Sequence, residues 1–413
     1  MKKDVMIYFT GKMVPAVVNL LIIILAVRFL GEAEYGKFAL VFYAVMLTST
    51  LTIGWIQQGI LRFLSSAGPE EAVAVNRFYL LTLFSTAVGM IMVTITCLVY
   101  FHLSWTRTLV AAAFILLYNI FQFHLTLNQT RLRSFRYALL EGSYNLFYIG
   151  LFLVLVLIFG RKGFMVLFVA MTAGLLATES VRVVLMPGAR AGIDRHLLSF
   201  DREFALKVFG FGFPIMIWLF LALFMSMGDR FIIKEFATYQ EVGTYTAVKD
   251  FIIKIATFST VPVLLAFHPA IIGKWNAGEK RAAMKLIRKG LIYCLLIAVI
   301  IIAGFLLLHP FFYHQVLHIS PVRPLLVSAS LVLSAFLWQA AMLLHKPLEL
   351  LLKPNLMLAA ILVALTVNLG ANLVFVPRFG YPAAAVIALV SVVVYIAVVV
   401  VMVIRFHRQG LFK

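Results

Sequence analysis

Apolar residues occur in long blocks, separated by short polar joints, from near one end of the chain to the other. A helix of about 20 apolar residues crosses a hydrocarbon core of ~30 Å. The blocks therefore predict an all-α polytopic membrane protein of twelve spanning helices. These lie at roughly 5–30, 37–63, 77–101, 108–130, 137–160, 163–185, 204–233, 243–272, 286–308, 322–345, 354–376 and 382–405. The longest joint, Pro187 to Glu203, is rich in glycine and charge and falls at the midpoint. It divides the chain into a six-helix bundle at 1–187, a cytoplasmic linker at 188–203 and a second six-helix bundle at 204–413. The first block carries Lys12 and lacks a small-residue cleavage site, so it reads as a retained helix.

One short stretch occurs twice. Arg28-Phe29-Leu30-Gly31-Glu32-Ala33-Glu34-Tyr35-Gly36-Lys37-Phe38 is echoed by Phe236-Ala237-Thr238-Tyr239-Gln240-Glu241-Val242-Gly243-Thr244-Tyr245. Glu34-Tyr35-Gly36 aligns with Glu241-Val242-Gly243 at an offset of 207 residues in 413, which suggests two homologous halves. Six helices per half make both halves enter the membrane from the same side, as a parallel repeat about an axis along the membrane normal.

Composition strengthens the membrane reading. Hydrophobic residues make up 63% of the chain and charged residues 12%, about half the charge of a typical soluble domain. The net charge of +19 would suggest nucleic acid in a soluble protein, but its distribution argues otherwise. With the N-terminus inside, inner joints hold 23 Lys and Arg and outer joints hold 8. That bias puts both termini in the cytoplasm and accounts for the charge without a polyanionic partner. Cys97 and Cys294 fall within apolar blocks and read as buried small hydrophobes, with no disulfide or metal site.

Charges inside the blocks are the functional candidates, because an embedded charge costs from about 3 to above 10 kcal/mol unless it faces water. Four cations remain after the joints are counted: Lys12, Lys249, Lys254 and Arg323. Lys12, Pro15 and Asn19 form a narrow polar stripe on the first span. In the eighth span, Asp250 and Lys254 stand at i,i+4 and can pair, which leaves the charge of Lys249 uncancelled. Arg28 and Arg62 sit at the rims of the first two spans, either as interfacial anchors or as substrate contacts. Asp229 and Arg230 read as a self-satisfied pair at the outer rim, and Glu179 with Arg182 as a structural pair. Glu141, one turn from Asn145, together with Asp250 and Asp229, are the residues to consider for gating or an ion.

No P-loop, HExxH, GxSxG or Rossmann fingerprint stands in a credible context, which argues against an ATP-driven pump or a soluble-type hydrolase, and the chain reads as a carrier and not an enzyme. The repeated stretch, Gly59 with Arg62-Phe63, and Asp229-Arg230-Phe231-Ile232-Ile233 followed by Val242-Gly243-Thr244-Tyr245 resemble the polysaccharide (O-antigen, Wzx-type) flippases. These belong to the multidrug/oligosaccharidyl-lipid/polysaccharide exporter superfamily. The resemblance implies two pseudo-symmetric bundles in a V around a central cavity, working by alternating access. It implies a monomer in the cytoplasmic membrane of a bacterium or archaeon. Its substrate would be a polyprenyl-pyrophosphate-linked oligosaccharide, moved from the inner to the outer leaflet, with membrane lipids, a polysaccharide polymerase and other assembly proteins as partners. No cofactor is implied beyond a coupling ion, proton or sodium. On this reading Lys12, Arg28, Arg62, Lys249 and Lys254, with Asn19, form a surface for the pyrophosphate. A peptidoglycan-precursor flippase and a cation-coupled multidrug exporter stay open as alternatives. An integral-membrane glycosyltransferase is a third, although the outer joints are short for one.

Overall fold

The computed structural model describes residues 2–64, 68–185, 200–351 and 353–409; the side chains of 2–13, 69 and 354 lie outside that description. The described chain is helical throughout, in α1 (Lys2–Leu30), α2 (Glu32–Phe63), α3 (Glu71–Ile95), α4 (Trp105–Thr130), α5 (Ser134–Leu153), α6 (Met165–Leu185), α7 (Arg202–Met227), α8 (Asp229–Phe236), α9 (Tyr239–Asn276), α10 (Lys280–Phe311), α11 (Pro324–Leu344), α12 (Lys346–Leu350), α13 (Pro354–Phe379) and α14 (Tyr381–Arg408). Short π-helical turns extend α3, α5 and α10. His309 lies in α10 and His314 in its extension.

Among the described residues eleven helices are long and apolar enough to cross a membrane, counting α7 with α8 and α11 with α12 as single spans. Within α1 the apolar stretch Val14–Leu30 is shorter. The chain is a multi-pass membrane protein of the all-α class that the apolar blocks predict. Cys97 and Cys294 are free and buried.

By contact the chain forms two units, and neither ends where the charged midpoint joint suggests. The first contains Met1–Ile22 and Lys37–Phe220; the second contains Ile23–Gly36 and Leu221–Lys413. Residues 186–199, most of the expected linker, lie outside the described residues. The glycines explain why the start of α7 belongs with the first half. A Cβ on Gly212 of α7 would lie 2.8 Å from the Trp55 carbonyl carbon of α2, and one on Gly54 would lie 3.0 Å from Met216. These contacts bring two helices to backbone distance, as small residues do in membranes. Beside them Ile56, Ile60, Phe78, Phe123 and Val208 form a buried cluster.

In the second unit the two copies of the repeated stretch pack against each other. A Cβ on Gly36 would come within 2.8 Å of the Gly243 nitrogen, and one on Gly243 within 3.1 Å of the Gly36 nitrogen. Only glycine permits this approach, because any side chain would displace backbone. Each copy opens a helix with acids in its first turn: Glu32 and Glu34 in α2, Glu241 in α9. At α9 the turn is fixed by a capping box, in which the Thr238 hydroxyl accepts from the Glu241 N–H and Glu241 accepts from the Thr238 N–H. The Thr244 hydroxyl donates to Glu32, which ties the two copies together.

Candidate functional site

The second unit holds a cluster of charges that begins at a helix break. α7 stops at Gly228 and α8 starts at Asp229. A break leaves carbonyls without their helical partners, and in a membrane these must find others. The Arg230 guanidinium supplies one, donating through Nη1 to the Ser226 carbonyl at 2.7 Å. The same break directs Asp229 and Arg230 inward, where they are 0% and 1% exposed.

Asp229 is then surrounded by donors. Its Oδ1 accepts from Arg230 Nη1 at 3.2 Å. Its Oδ2 accepts from Lys249 Nζ and from the Tyr245 hydroxyl, both at 2.5 Å. Tyr245 and Lys249 stand one turn apart on α9, and the ammonium also lies 5.4 Å from the Tyr245 ring centroid. Arg230 reaches on with Nη2 to Asp250 Oδ1 at 2.7 Å, and Tyr35 of α2 donates to Asp250 Oδ2 at 3.3 Å. Two acids and two bases cancel, and every carboxylate oxygen has a protein donor. Burying charge is tolerable on those terms alone, since a buried pair offsets desolvation only with good geometry and added hydrogen bonds.

This geometry corrects three sequence expectations. Lys249 is not an uncancelled cavity cation, because Asp229 neutralises it. Asp229 and Arg230 are not a self-contained pair at the rim, because both are buried and share charge with α9. Asp250 does not pair with Lys254, because Arg230 takes its place: the guanidinium arrives from a second helix with two fixed donors. Asp229 and Asp250 are thus fully occupied, and a coupling ion at either would have to displace a tethered cation. Lys254 is left exposed, without an ion pair or hydrogen bond among the described residues. It stands fifteen residues into α9, or ~22 Å from the helix start. Lys346, at the start of α12, is buried and bonds Glu349 at 2.7 and 2.8 Å and His268 at 3.0 Å.

The remaining candidates are distributed over both units. Lys12 lies on α1 with its side chain outside the described residues. Asn19 spends both amide hydrogens on protein, at 2.7 Å to the Pro15 carbonyl and 3.0 Å to Asn145 Oδ1, so it offers a substrate no donor. Arg28 and Arg62 are exposed near the ends of α1 and α2. Glu141 is half-buried on α5, and its backbone carbonyl accepts from the Asn145 amide at 2.8 Å. Glu179 and Arg182 pair as expected, at 2.5 Å. His124, which the sequence pattern did not single out, joins them: its Nδ1 lies 3.0 Å from Glu179 Oε1. Tyr245 and Tyr35 were also missed as site residues. The i,i+4 spacing of Tyr245 and Lys249 was the available signal; nothing local points from Tyr35 to Asp250.

Comparison with known proteins narrows what such an arrangement belongs to. The family profile described as polysaccharide biosynthesis protein matches residues 1–275, two thirds of the chain. No curated protein matches. Several solved structures share the fold at low identity. One is an inward-facing multidrug resistance MATE family transporter of the MOP superfamily, with TM-score 0.75 and 12% identity, covering 97% of this chain and 95% of the other. The lipid II flippase MurJ in an inward closed conformation gives 0.71 and 11%, covering 96% and 87%. A MOP superfamily transporter from Pyrococcus furiosus, described as having a binding pocket of reversed polarity, gives 0.67 and 14%, covering 99% and 95%.

Proposed function

The chain belongs to the polysaccharide biosynthesis protein family, and we propose that it moves a polyprenyl-pyrophosphate-linked oligosaccharide from the inner to the outer leaflet of the cytoplasmic membrane by alternating access. Lys254 is the observation that carries this reading. It is fifteen residues into α9, exposed, and without an ion pair or hydrogen bond among the described residues, while Asp229, Arg230, Lys249, Asp250 and Lys346 of the same unit are all matched. An ammonium at that depth is stable only where water or an anion meets it. A pyrophosphate headgroup is such an anion, and its prenyl tail can stay in lipid while the charge passes. Arg28 and Arg62 are further exposed cations proposed to meet the headgroup, and Lys12 is proposed with them from its place on α1.

An exporter of organic cations requires acids available in the membrane. Here Asp229 and Asp250 are both engaged by bases, which speaks against that alternative. The test is reconstitution into liposomes with a fluorescent polyprenyl-pyrophosphate oligosaccharide, a labelled lipid II and a cationic dye in parallel. Protein-dependent flipping of the oligosaccharide lipid alone is the expected result. Transport of the dye, or of lipid II in preference, overturns the proposal.

A further inference from the structure

A cavity of about 170 Å³ lies inside the second unit, bordered by α7, α9, α11 and α14. Six of its lining residues carry polar groups: Ser226, Lys249, Thr257, Ser334, Trp338 and Gln339; the rest of the wall is apolar. Lys249 is ten residues into α9, ~15 Å from the helix start, in a helix long and apolar enough to cross a membrane.

The wall holds more hydrogen-bonding capacity than the protein uses. Gln339 donates its amide to the Thr257 hydroxyl at 3.0 Å, which leaves the Gln339 carbonyl oxygen. The hydroxyls of Ser226 and Ser334 and the indole N–H of Trp338 make no hydrogen bond to protein among the described residues. Lys249, only 5% exposed, gives one N–H to Asp229 and retains two. Polar groups left unspent between membrane-spanning helices are expensive unless something occupies them.

The electrostatics select the occupant. The ammonium is already neutralised, and Asp229 stands directly behind it, so an anion gains little there. An organic cation gains no more, because no unpaired carboxylate lines the cavity. A neutral, hydroxyl-rich ligand can both accept from Lys249, Ser226 and Trp338 and donate to Gln339 and Ser334, while its C–H face lies on the Trp338 ring. The volume falls below the ~300–1,000 Å³ of pockets for drug-sized ligands, so the space admits one ring and not a chain of sugars.

From these observations we infer that the cavity within the second unit is a recognition site for a single neutral pyranose ring. The inference rests on the oligosaccharide reading above, and it separates sugar recognition, by this cavity, from headgroup recognition, by Lys254. The site is built to check the cargo's sugar and not its charge.

The test uses the full chain in nanodiscs and saturation-transfer NMR. The probes are D-glucose, D-galactose, D-mannose and N-acetyl-D-glucosamine, with inorganic pyrophosphate as competitor. At least one pyranose is expected to give a signal that pyrophosphate does not reduce. Ser334→Leu and, separately, Ser226→Leu place an apolar side chain in the cavity and are expected to weaken that signal more than tenfold with the thermal midpoint retained. If Ser334→Leu does not fold, Ser226→Leu and Gln339→Met decide the matter. Absence of any pyranose signal, an unchanged signal in the folded variants, or displacement by pyrophosphate overturns the inference. Flipping by a protein that binds no pyranose sinks this site and leaves the transport reading standing. Pyranose binding without flipping does the reverse.

Discussion

Replacing Asp229 by Asn should destabilise the second unit severely, and the arrangement around it sets the size. Asp229 is 0% exposed and neutralises Lys249, itself 5% exposed, while sharing Arg230 with Asp250. Asn keeps the shape but removes the charge, so the buried cluster goes from neutral to +1. Breaking a buried pair on one side costs about 3–5 kcal/mol. At about 2–4 °C per kcal/mol for a body of this size, the thermal midpoint in detergent should fall by on the order of 10 °C. Lys249→Met alone leaves the cluster at −1 and should also destabilise. The double variant Asp229→Asn with Lys249→Met restores neutrality, so its loss should be smaller than the sum by about 1–3 kcal/mol. Thermal scans of the four proteins close the cycle. An Asp229→Asn midpoint within about 2 °C of the wild type, or strictly additive losses, would refute the argument that this pair exists to neutralise a buried ammonium.

Three further predictions follow from the same contacts. Gly36→Ala and Gly243→Ala each set a Cβ against backbone of the other repeat copy, and both should reduce folded yield in size-exclusion profiles; Gly142→Ala, with nothing within 4 Å, should be neutral or raise stability by up to about 1 kcal/mol. Lys254→Gln should leave the thermal midpoint nearly unchanged, since no ion pair or hydrogen bond is lost, while lowering the flipping rate in liposomes. Glu179→Ala removes the partner of both His124 and Arg182 and should lower stability by about 1–3 kcal/mol, measured by thermal unfolding.

The sequence made some of this legible and hid the rest for identifiable reasons. Hydrophobic blocks reveal spans because lipid demands them, and the i,i+3 pair of Glu179 and Arg182 is visible because one helix contains it. The repeat was legible as a pattern, but its glycines meet through tertiary packing that no spacing encodes. Local spacing misled at Asp250. Its i,i+4 neighbour Lys254 was the base that helical spacing offers, yet Arg230 reaches it from the neighbouring helix α8. The charged joint at 188–203 marked the midpoint of the chain, whereas contact assigns Ile23–Gly36 to the second unit and α7 up to Phe220 to the first. That allegiance is set by the close approach of Gly212 to Trp55, a feature that reads in sequence as one more apolar helix.

The central claim is that an unpaired cation deep in α9 carries an anionic lipid headgroup. The most direct test compares flipping of one oligosaccharide on two lipids, polyprenyl pyrophosphate and an uncharged prenyl ether, by the wild type and Lys254→Gln in the same liposomes. The account predicts at least a tenfold preference of the wild type for the pyrophosphate lipid, and loss of most of that preference in Lys254→Gln. Equal rates for the two lipids, or an undiminished preference in the variant, would contradict it.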